Sequence, residues 1–192
     1  MPNEHRNKSA LLIVDVQKDF CAGGALAVPE SERVLLALNR HLARAAGEGM
    51  PVYASRDWHP EVTNHFAPYG GQWPVHCVRE TVGAQFHPAL QLPASTLVVS
   101  KGVGPNQSGY SAFEGRTGEG RAFLVDLMMR GVTRLEVGGL AIDYCVRASV
   151  LDALSHGIEV TILSDAIAGV DLAPGDSARA IAEMRAAGAE YS

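Results

Sequence analysis

The sequence has few cysteines and no long hydrophobic run. Cysteine occurs three times, at Cys21, Cys77 and Cys145, so the thiols cannot all pair within one chain. Each is therefore first a candidate for core packing, metal binding or nucleophilic chemistry. The longest purely apolar run near the start, residues 10–14, is far shorter than an export signal or the ~20 residues of a membrane span. We therefore expect a protein of the reducing cytoplasm.

Positive charge is also in short supply. Sixteen Lys and Arg residues face twenty-one Asp and Glu residues, which gives a net charge of −5. A nucleic-acid or anionic-membrane partner requires a basic face, so we predict neither partner. With 47% hydrophobic and 19% charged residues the composition is that of a globular protein. The length of 192 residues predicts a single domain over residues 1–192.

Short β-branched runs alternate with longer stretches of helical periodicity. The runs predict strands at residues 9–16, 51–55, 96–100, 134–138 and 159–164, and the periodic stretches predict helices at 30–47, 120–130, 144–156 and 176–187. This alternation predicts a three-layer α/β/α, Rossmann-like fold with a parallel sheet of five to six strands between helices. Because the chain stops at Ser192 just after the last helix, a sixth strand should be very short or absent.

Three chemically reactive residues lie at or just after the ends of predicted strands. Asp15 lies inside the first apolar run, Lys101 directly follows the third, and Cys145 lies in the first turn of the helix after the fourth. Ligands of such sheets bind where the carboxyl ends of the strands meet. One interpretation is structural: Asp15 forms a salt bridge with Lys101, and Cys145 packs as a small apolar residue. The other is catalytic: Asp15 removes the thiol proton of Cys145 and later protonates a leaving amine, while Lys101 keeps Asp15 ionised. Free N–H groups at the start of a helix would stabilise the thiolate and a developing oxyanion.

The irregular stretch from residue 56 to 76 concentrates histidine and tryptophan. It contains Asp57, His59, His65 and His76 together with both tryptophans of the chain. Imidazole and carboxylate ligands suit Zn²⁺, Fe²⁺ or Mn²⁺, and the lack of cysteine among them indicates a site with room for water or substrate. The alternative is a loop of surface histidines without a metal.

Several separate segments together resemble a known family. LLIVDVQKDFCAGGALAV, SRDWHP, WPVHCV and GGLAIDYCVRASVLDAL occur in the order typical of the nicotinamidase (pyrazinamidase) branch of the isochorismatase-like cysteine hydrolases. The resemblance implies an isochorismatase-like fold and a metal-dependent amidohydrolase that converts nicotinamide or pyrazinamide to the acid and ammonia through a thioester. It assigns Asp15 as general base, Lys101 as its charged partner and Cys145 as nucleophile.

The resemblance also implies the remaining site residues. Asp57, His59 and His76 would bind one divalent metal ion, usually zinc with iron or manganese as alternatives, and His65 is a further ligand in some members. A cis peptide at Leu140–Ala141 would help to build an oxyanion hole from the amides of Ala141 and Cys145. The ring pocket would be lined by Phe20, Trp73, Tyr110 and Tyr144, with the metal holding the pyridine nitrogen. Ile142 departs from the pattern, since many members have Thr there.

Two other functions stay open at this point. A related enzyme could act on another small amide, such as maleamate, a ureido acid or an N-carbamoyl compound. A non-catalytic metal- or nucleotide-binding domain is the second alternative, although the first predicted strand is not followed by the G-x-G-x-x-G turn that receives a pyrophosphate. For the nicotinamidase-like enzyme and for the related enzyme alike, the predicted partner is a small-molecule amide. The sequence determines neither the identity of the metal nor the oligomeric state, and a homo-oligomer is possible.

Overall fold

The structure is a computed structural model that describes residues 8–192, so the first seven residues of the predicted domain lie outside it. This part of the chain contains seven strands and four α-helices. In chain order they are β1 (Lys8–Val14), α1 (Ser31–Glu48), β2 (Val52–Asp57), β3 (Leu97–Lys101), β4 (Arg116–Thr117), α2 (Phe123–Arg130), β5 (Val132–Leu140), α3 (Arg147–Ser155), β6 (Glu159–Ala168), α4 (Asp176–Ala186) and β7 (Glu190–Tyr191). Among residues 8–192, none of the helices has the length and apolar character needed to cross a membrane.

The strands form one sheet in the order β4-β3-β2-β1-β5-β6-β7. All neighbours are parallel except β4, which runs antiparallel to β3. The predicted alternation of strands and helices is confirmed, and the sheet is mostly parallel as predicted, but it has seven strands and not five to six, one of them antiparallel. Two strands of two residues each extend the edges, and β7 is the very short strand expected after the last helix. Two residues are too few to show periodicity, so the sequence pattern could not reveal β4.

Two hydrophobic clusters lie on opposite faces of the sheet. Ala10, Leu12 and Val14 of β1 pack with residues of α2, α3 and α4, whereas Leu11 and Ile13 pack with residues of α1. Successive side chains of a strand point to opposite faces, so a strand covered on both sides must be apolar throughout. This explains why β1 is an uninterrupted apolar run. A polar side chain can therefore contribute to a site only at the end of β1.

The end of β5 approaches β1 unusually closely. Gly139 has a φ of +132°, and a Cβ atom there would lie 2.1 Å from the carbonyl oxygen of Val14. Only glycine fits both the backbone conformation and the space. The strand therefore continues through two glycines to Leu140, beyond the predicted limit of residue 138.

The helix predicted over 144–156 also differs from the structure. It opens with a π-helical turn, Ile142–Val146, before α3 begins at Arg147. Such turns are frequent at functional sites, and the spacing of apolar residues gives no sign of them. Cys145 thus lies in a π-helical turn and not in the first turn of a regular α-helix.

We predict that Gly139→Ala lowers the free energy of unfolding by about 2–4 kcal/mol, because the substitution combines a strained φ with a backbone clash. Gly47→Ala is the matched control, since Gly47 lies within α1 and a Cβ there meets no atom within 4 Å. That control should leave stability unchanged or raise it by up to ~1 kcal/mol. Urea unfolding followed by circular dichroism measures both, and equal midpoints would contradict the close-approach argument.

Candidate active site

The ends of three strands bring Asp15, Lys101 and Cys145 together. Asp15 follows β1, Lys101 ends β3 and Cys145 follows β5, and all three side chains are buried. The Lys101 Nζ atom lies 2.7 Å from Asp15 Oδ2 and 3.5 Å from Cys145 Sγ. Parallel strands have their carboxyl ends at one edge of the sheet, which is why residues far apart in sequence meet here.

Asp15 is enclosed by polar partners on both of its oxygens. Ser55 Oγ donates a hydrogen bond of 2.7 Å to Oδ1, and the Lys101 ammonium faces Oδ2. Burial raises the pKa of the Asp15 carboxyl, the positive charge of Lys101 lowers it, and the net direction is upward. Ser55 was not among the residues predicted for the site, although it is a small polar residue in a buried strand and pairs with Val14 in the sheet.

Lys101 contacts a second carboxylate besides the predicted one. Its Nζ lies 2.5 Å from Asp57 Oδ1 and donates to the carbonyl oxygen of Gly109 at 2.6 Å. Burial alone would lower the pKa of Lys101, but Asp15 and Asp57 outweigh it and raise the pKa well above its usual value. A single buried ammonium therefore joins the residue predicted to act as base to a residue predicted to bind metal.

Cys145 lies next to this pair and is buried. Burial is the main reason that its pKa lies well above the usual value, and the charge of Lys101 only partly opposes it. One ligand-type atom each of Asp15, Asp57 and Cys145 lies within 4.8 Å of the others. A thiol in this state requires a base for activation, and the Asp15 carboxylate is within reach to supply one.

Three histidines converge beside Asp57. One ring nitrogen each of His59, His65 and His76 lies within 4.8 Å of the others. The Nε2 atoms of His59 and His76 lie 3.6 Å and 3.8 Å from Asp57 Oδ2. Asp57 thus directs one oxygen to Lys101 and the other to His59 and His76.

The second nitrogen of two of these rings fixes their orientation. His59 Nδ1 lies 3.0 Å from the carbonyl oxygen of Gly102, and His76 Nδ1 lies 2.7 Å from that of Pro74. These contacts leave Nε2 of each ring facing the cluster, and the buried Nε2 of His59 has no hydrogen-bond partner within residues 8–192. Burial lowers the pKa of His76 and lowers that of His65 to about 4, so these rings are neutral near pH 7. Neutral imidazoles with one carboxylate fit a divalent metal ion.

Gln17 holds the backbone of Asp57 in place. Its Nε2 donates to the Asp57 carbonyl oxygen at 2.8 Å, and its Oε1 accepts from the Asp57 N–H at 2.8 Å. The sequence analysis missed this residue. Its one signal is a polar amide two positions after Asp15, at the end of an apolar run, where a fully buried side chain must find partners.

A pocket separates Cys145 from the histidine cluster. All four residues predicted for the ring pocket line it, namely Phe20, Trp73, Tyr110 and Tyr144. Trp73 Nε1 donates to Tyr110 Oη at 2.9 Å, which fixes two of these rings. Ala141 also lines the pocket, and the Leu140–Ala141 peptide is cis, as the resemblance implies. The remaining apolar residues of the lining, which form an apolar wall, were not predicted, because isolated apolar residues in loops and at a strand end form no pattern: Leu26, Val28, Leu140 and Val170.

Comparisons with known proteins identify relatives of this chain. The isochorismatase domain profile matches residues 9–192. The nicotinamidase of Escherichia coli is 44% identical over 94% of this chain and 92% of its own length, and the nicotinamidase/pyrazinamidase of Mycobacterium tuberculosis is 41% identical over 94% and 96%. The crystal structure of Pyrococcus horikoshii pyrazinamidase in complex with zinc superposes with a TM-score of 0.88 at 41% identity, covering 96% of this chain and 98% of that one. The chain therefore belongs to the isochorismatase family.

Proposed function

We propose that this protein is a metal-dependent cysteine amidohydrolase that deamidates nicotinamide and pyrazinamide to the corresponding acid and ammonia. The observation that carries the proposal is a single pocket that is lined by Cys145 at one end and by Asp57, His65 and His76 at the other. Asp15 and Lys101 lie beside Cys145, and His59 lies beside the other two histidines, although these three residues do not line the pocket. Aromatic side chains line the space between these ends, as a flat heteroaromatic ring requires. Relatives that carry the names nicotinamidase and pyrazinamidase at 41–44% identity support the same substrate class.

In the proposed reaction, Asp15 takes the proton of the Cys145 thiol as the sulfur attacks the amide carbon. The oxygen of the tetrahedral intermediate receives hydrogen bonds from the backbone N–H groups of Ala141 and Cys145. Asp15 then gives the proton to the departing nitrogen, the C–N bond breaks, and ammonia leaves a thioester on Cys145. Asp15 next takes a proton from a water molecule, whose oxygen attacks the thioester carbon. The C–S bond breaks, the free acid leaves, and the proton returns to the Cys145 sulfur. Lys101 stabilises the ionised form of Asp15 before each proton transfer.

The metal would be held by Asp57, His59 and His76, with His65 as a fourth protein ligand or beside the site. A bound divalent ion supplies a Lewis-acid contact for the ring nitrogen of the substrate. Zinc is the first choice because the P. horikoshii relative is in complex with zinc, and iron and manganese suit the same ligands. Residues 1–192 would act as one domain on a small-molecule amide, without a nucleic-acid or membrane partner.

We predict that Cys145→Ala abolishes turnover while the protein remains folded, because the change removes the nucleophile and little volume. Mass spectrometry of the wild type during turnover should detect an acyl adduct on Cys145. Cys21→Ala is the control, since Cys21 is buried outside the pocket and should keep most of its activity when mutated. Full activity of Cys145→Ala, or an adduct on another cysteine, would reject the assignment.

Lys101→Met should move the acid limb of the pH dependence of kcat/KM to higher pH. Asp15 acts as a base only when ionised, and Lys101 lowers its pKa. Removing the ammonium therefore raises the pKa, and activity is lost at a higher pH as the solution is acidified. Asp15→Asn, which removes the base itself, should reduce kcat/KM ~10²–10⁴-fold at every pH. Metal content is measured in parallel because Lys101 also contacts Asp57, and an unmoved acid limb in metal-loaded protein would count against the pair.

The metal should distinguish nicotinamide from benzamide, which has the same shape without the ring nitrogen. We expect kcat/KM for nicotinamide to exceed that for benzamide by ~10² or more, since each factor of ten corresponds to 1.36 kcal/mol. His59→Ala should erase most of this preference and leave Cys145 reactive towards iodoacetamide. His156→Ala, at an exposed position on the surface, is the control. Equal efficiency on both amides would favour another small amide as the substrate.

A further inference from the structure

Asp19 joins two segments that carry different parts of the site. It lies in the short turn Lys18–Phe20 after β1 and does not line the pocket. Its Oδ2 accepts a hydrogen bond of 2.7 Å from the backbone N–H of Cys77, and its Oδ1 accepts one of 3.4 Å from that of Ala25. Cys77 directly follows the candidate metal ligand His76. Ala25 directly precedes the apolar wall of the pocket.

The backbone at Cys77 is strained and needs restraint. Its φ is +44°, a left-handed conformation that costs a residue with a Cβ ~1–3 kcal/mol unless its surroundings hold it. The N–H of Cys77 is held by the Asp19 carboxylate, and its carbonyl oxygen accepts the N–H of His59 at 3.1 Å. Hydrogen bonds to a charged group are among the stronger ones. The Cys77 peptide thus connects Asp19 to the backbone of two candidate metal ligands.

Asp19 also holds the segment 25–28, which contributes Leu26 and Val28 to the apolar wall of the pocket. The N–H of Leu26 donates to the Asp19 carbonyl oxygen at 2.9 Å, and the N–H of Val28 donates to that of Phe20 at 3.0 Å. Leu26, Val28 and Phe20 all line the pocket. The position of the wall is therefore tied, through Asp19, to the position of the histidine cluster.

Gly83 fixes where the Asp19 carboxylate can lie. The N–H of Asp19 donates to the Gly83 carbonyl oxygen at 3.0 Å. A Cβ at Gly83 would lie 2.2 Å from Asp19 Oδ2, and its three nearest atoms all belong to the Asp19 carboxylate. Gly83→Ala would therefore displace this carboxylate while leaving its charge and its own chemistry unchanged.

We propose that Asp19 is a positioning residue that holds His76 for the metal and the segment 25–28 against the substrate ring. The proposal rests on the function proposed above and adds a residue that touches neither substrate nor metal. It explains why a carboxylate stands outside the pocket with both oxygens directed at backbone N–H groups. It also predicts that metal binding and the binding of the ring are sensitive to one group outside the pocket.

The test measures Co²⁺ affinity and the visible absorption spectrum of the Co²⁺-loaded protein without substrate. Asp19→Ala and Gly83→Ala should each weaken Co²⁺ binding ~10–100-fold, as is typical when support for a ligand is lost, and alter the spectrum. Asp19→Asn keeps one acceptor oxygen and should lie between Asp19→Ala and the wild type. In metal-saturated protein, KM for nicotinamide should rise more than kcat falls, because the Asp15–Lys101–Cys145 group is untouched.

Two control variants separate positioning from general stability. Asp165→Ala removes a carboxylate that pairs with Arg40 and His41, away from the pocket. Gly118→Ala adds a Cβ where no atom lies within 4 Å. Both should keep the affinity and spectrum of the wild type. If Asp19→Ala does not fold, Asp19→Asn and Gly83→Ala provide the same measurement.

Wild-type Co²⁺ affinity and spectrum in Asp19→Asn and Gly83→Ala would overturn the proposal, even if their melting temperatures fall. This readout is independent of turnover. Altered Co²⁺ binding in a protein that fails to hydrolyse nicotinamide would therefore support the role of Asp19 and reject the proposed function. Unaltered binding in a protein that hydrolyses nicotinamide would do the reverse.

Discussion

The site is organised around a buried ammonium group between two buried carboxylates. Lys101 is fully buried, and a charge in that position is tolerated only when it is paired and hydrogen-bonded. It meets Asp15 Oδ2 at 2.7 Å, Asp57 Oδ1 at 2.5 Å and the carbonyl oxygen of Gly109 at 2.6 Å. These partners come from three different parts of the chain, so the ion group can form only when β1, β2 and β3 are in register.

The charges explain why the metal-binding and thiol-containing halves of the pocket belong together. When Asp15 and Asp57 are both ionised, their two charges and the single ammonium of Lys101 leave one negative charge in a buried space. A divalent cation beside Asp57 Oδ2 would reverse the sign of the local charge. The same cation would share Asp57 with Lys101, since Lys101 contacts the other oxygen of that carboxylate, Oδ1. In the proposed reaction, the occupancy of the metal site therefore influences the base as well as the ring.

Much of this site could be predicted from the sequence, and the reason is the sheet. Asp15 and Lys101 are conspicuous because they interrupt or end apolar strands, and Cys145 follows two glycines at another strand end. Parallel strands place such ends together, so these three could be grouped without coordinates. The contact between Lys101 and Asp57 could not be predicted. The histidines near Asp57 in the sequence already assigned it to the metal site, and the sequence does not show that its two carboxylate oxygens face different partners.

The residues that support the site could not be predicted from the sequence, for a different physical reason. Ser55, Gln17 and Asp19 act through hydrogen bonds to a side chain or to backbone groups, and these partners depend on register and loop paths rather than on residue type. The strand β4 could not be predicted either, since two residues that pair with the edge of β3 are too few to show a periodic pattern.

The distribution of these supporting contacts also shows what keeps the two ends of the pocket at a fixed separation. Asp57 is bound through its backbone by Gln17 and through its side chain by Lys101, so it cannot move independently of Asp15. Cys145 follows β5, and the end of β5 is positioned against the end of β1 by the close approach of Gly139 to Val14. Both ends of the pocket are thus positioned relative to one strand. A substrate whose amide and ring nitrogen match that separation meets groups already in place, which is the condition under which binding energy contributes to catalysis rather than to rearrangement of the protein.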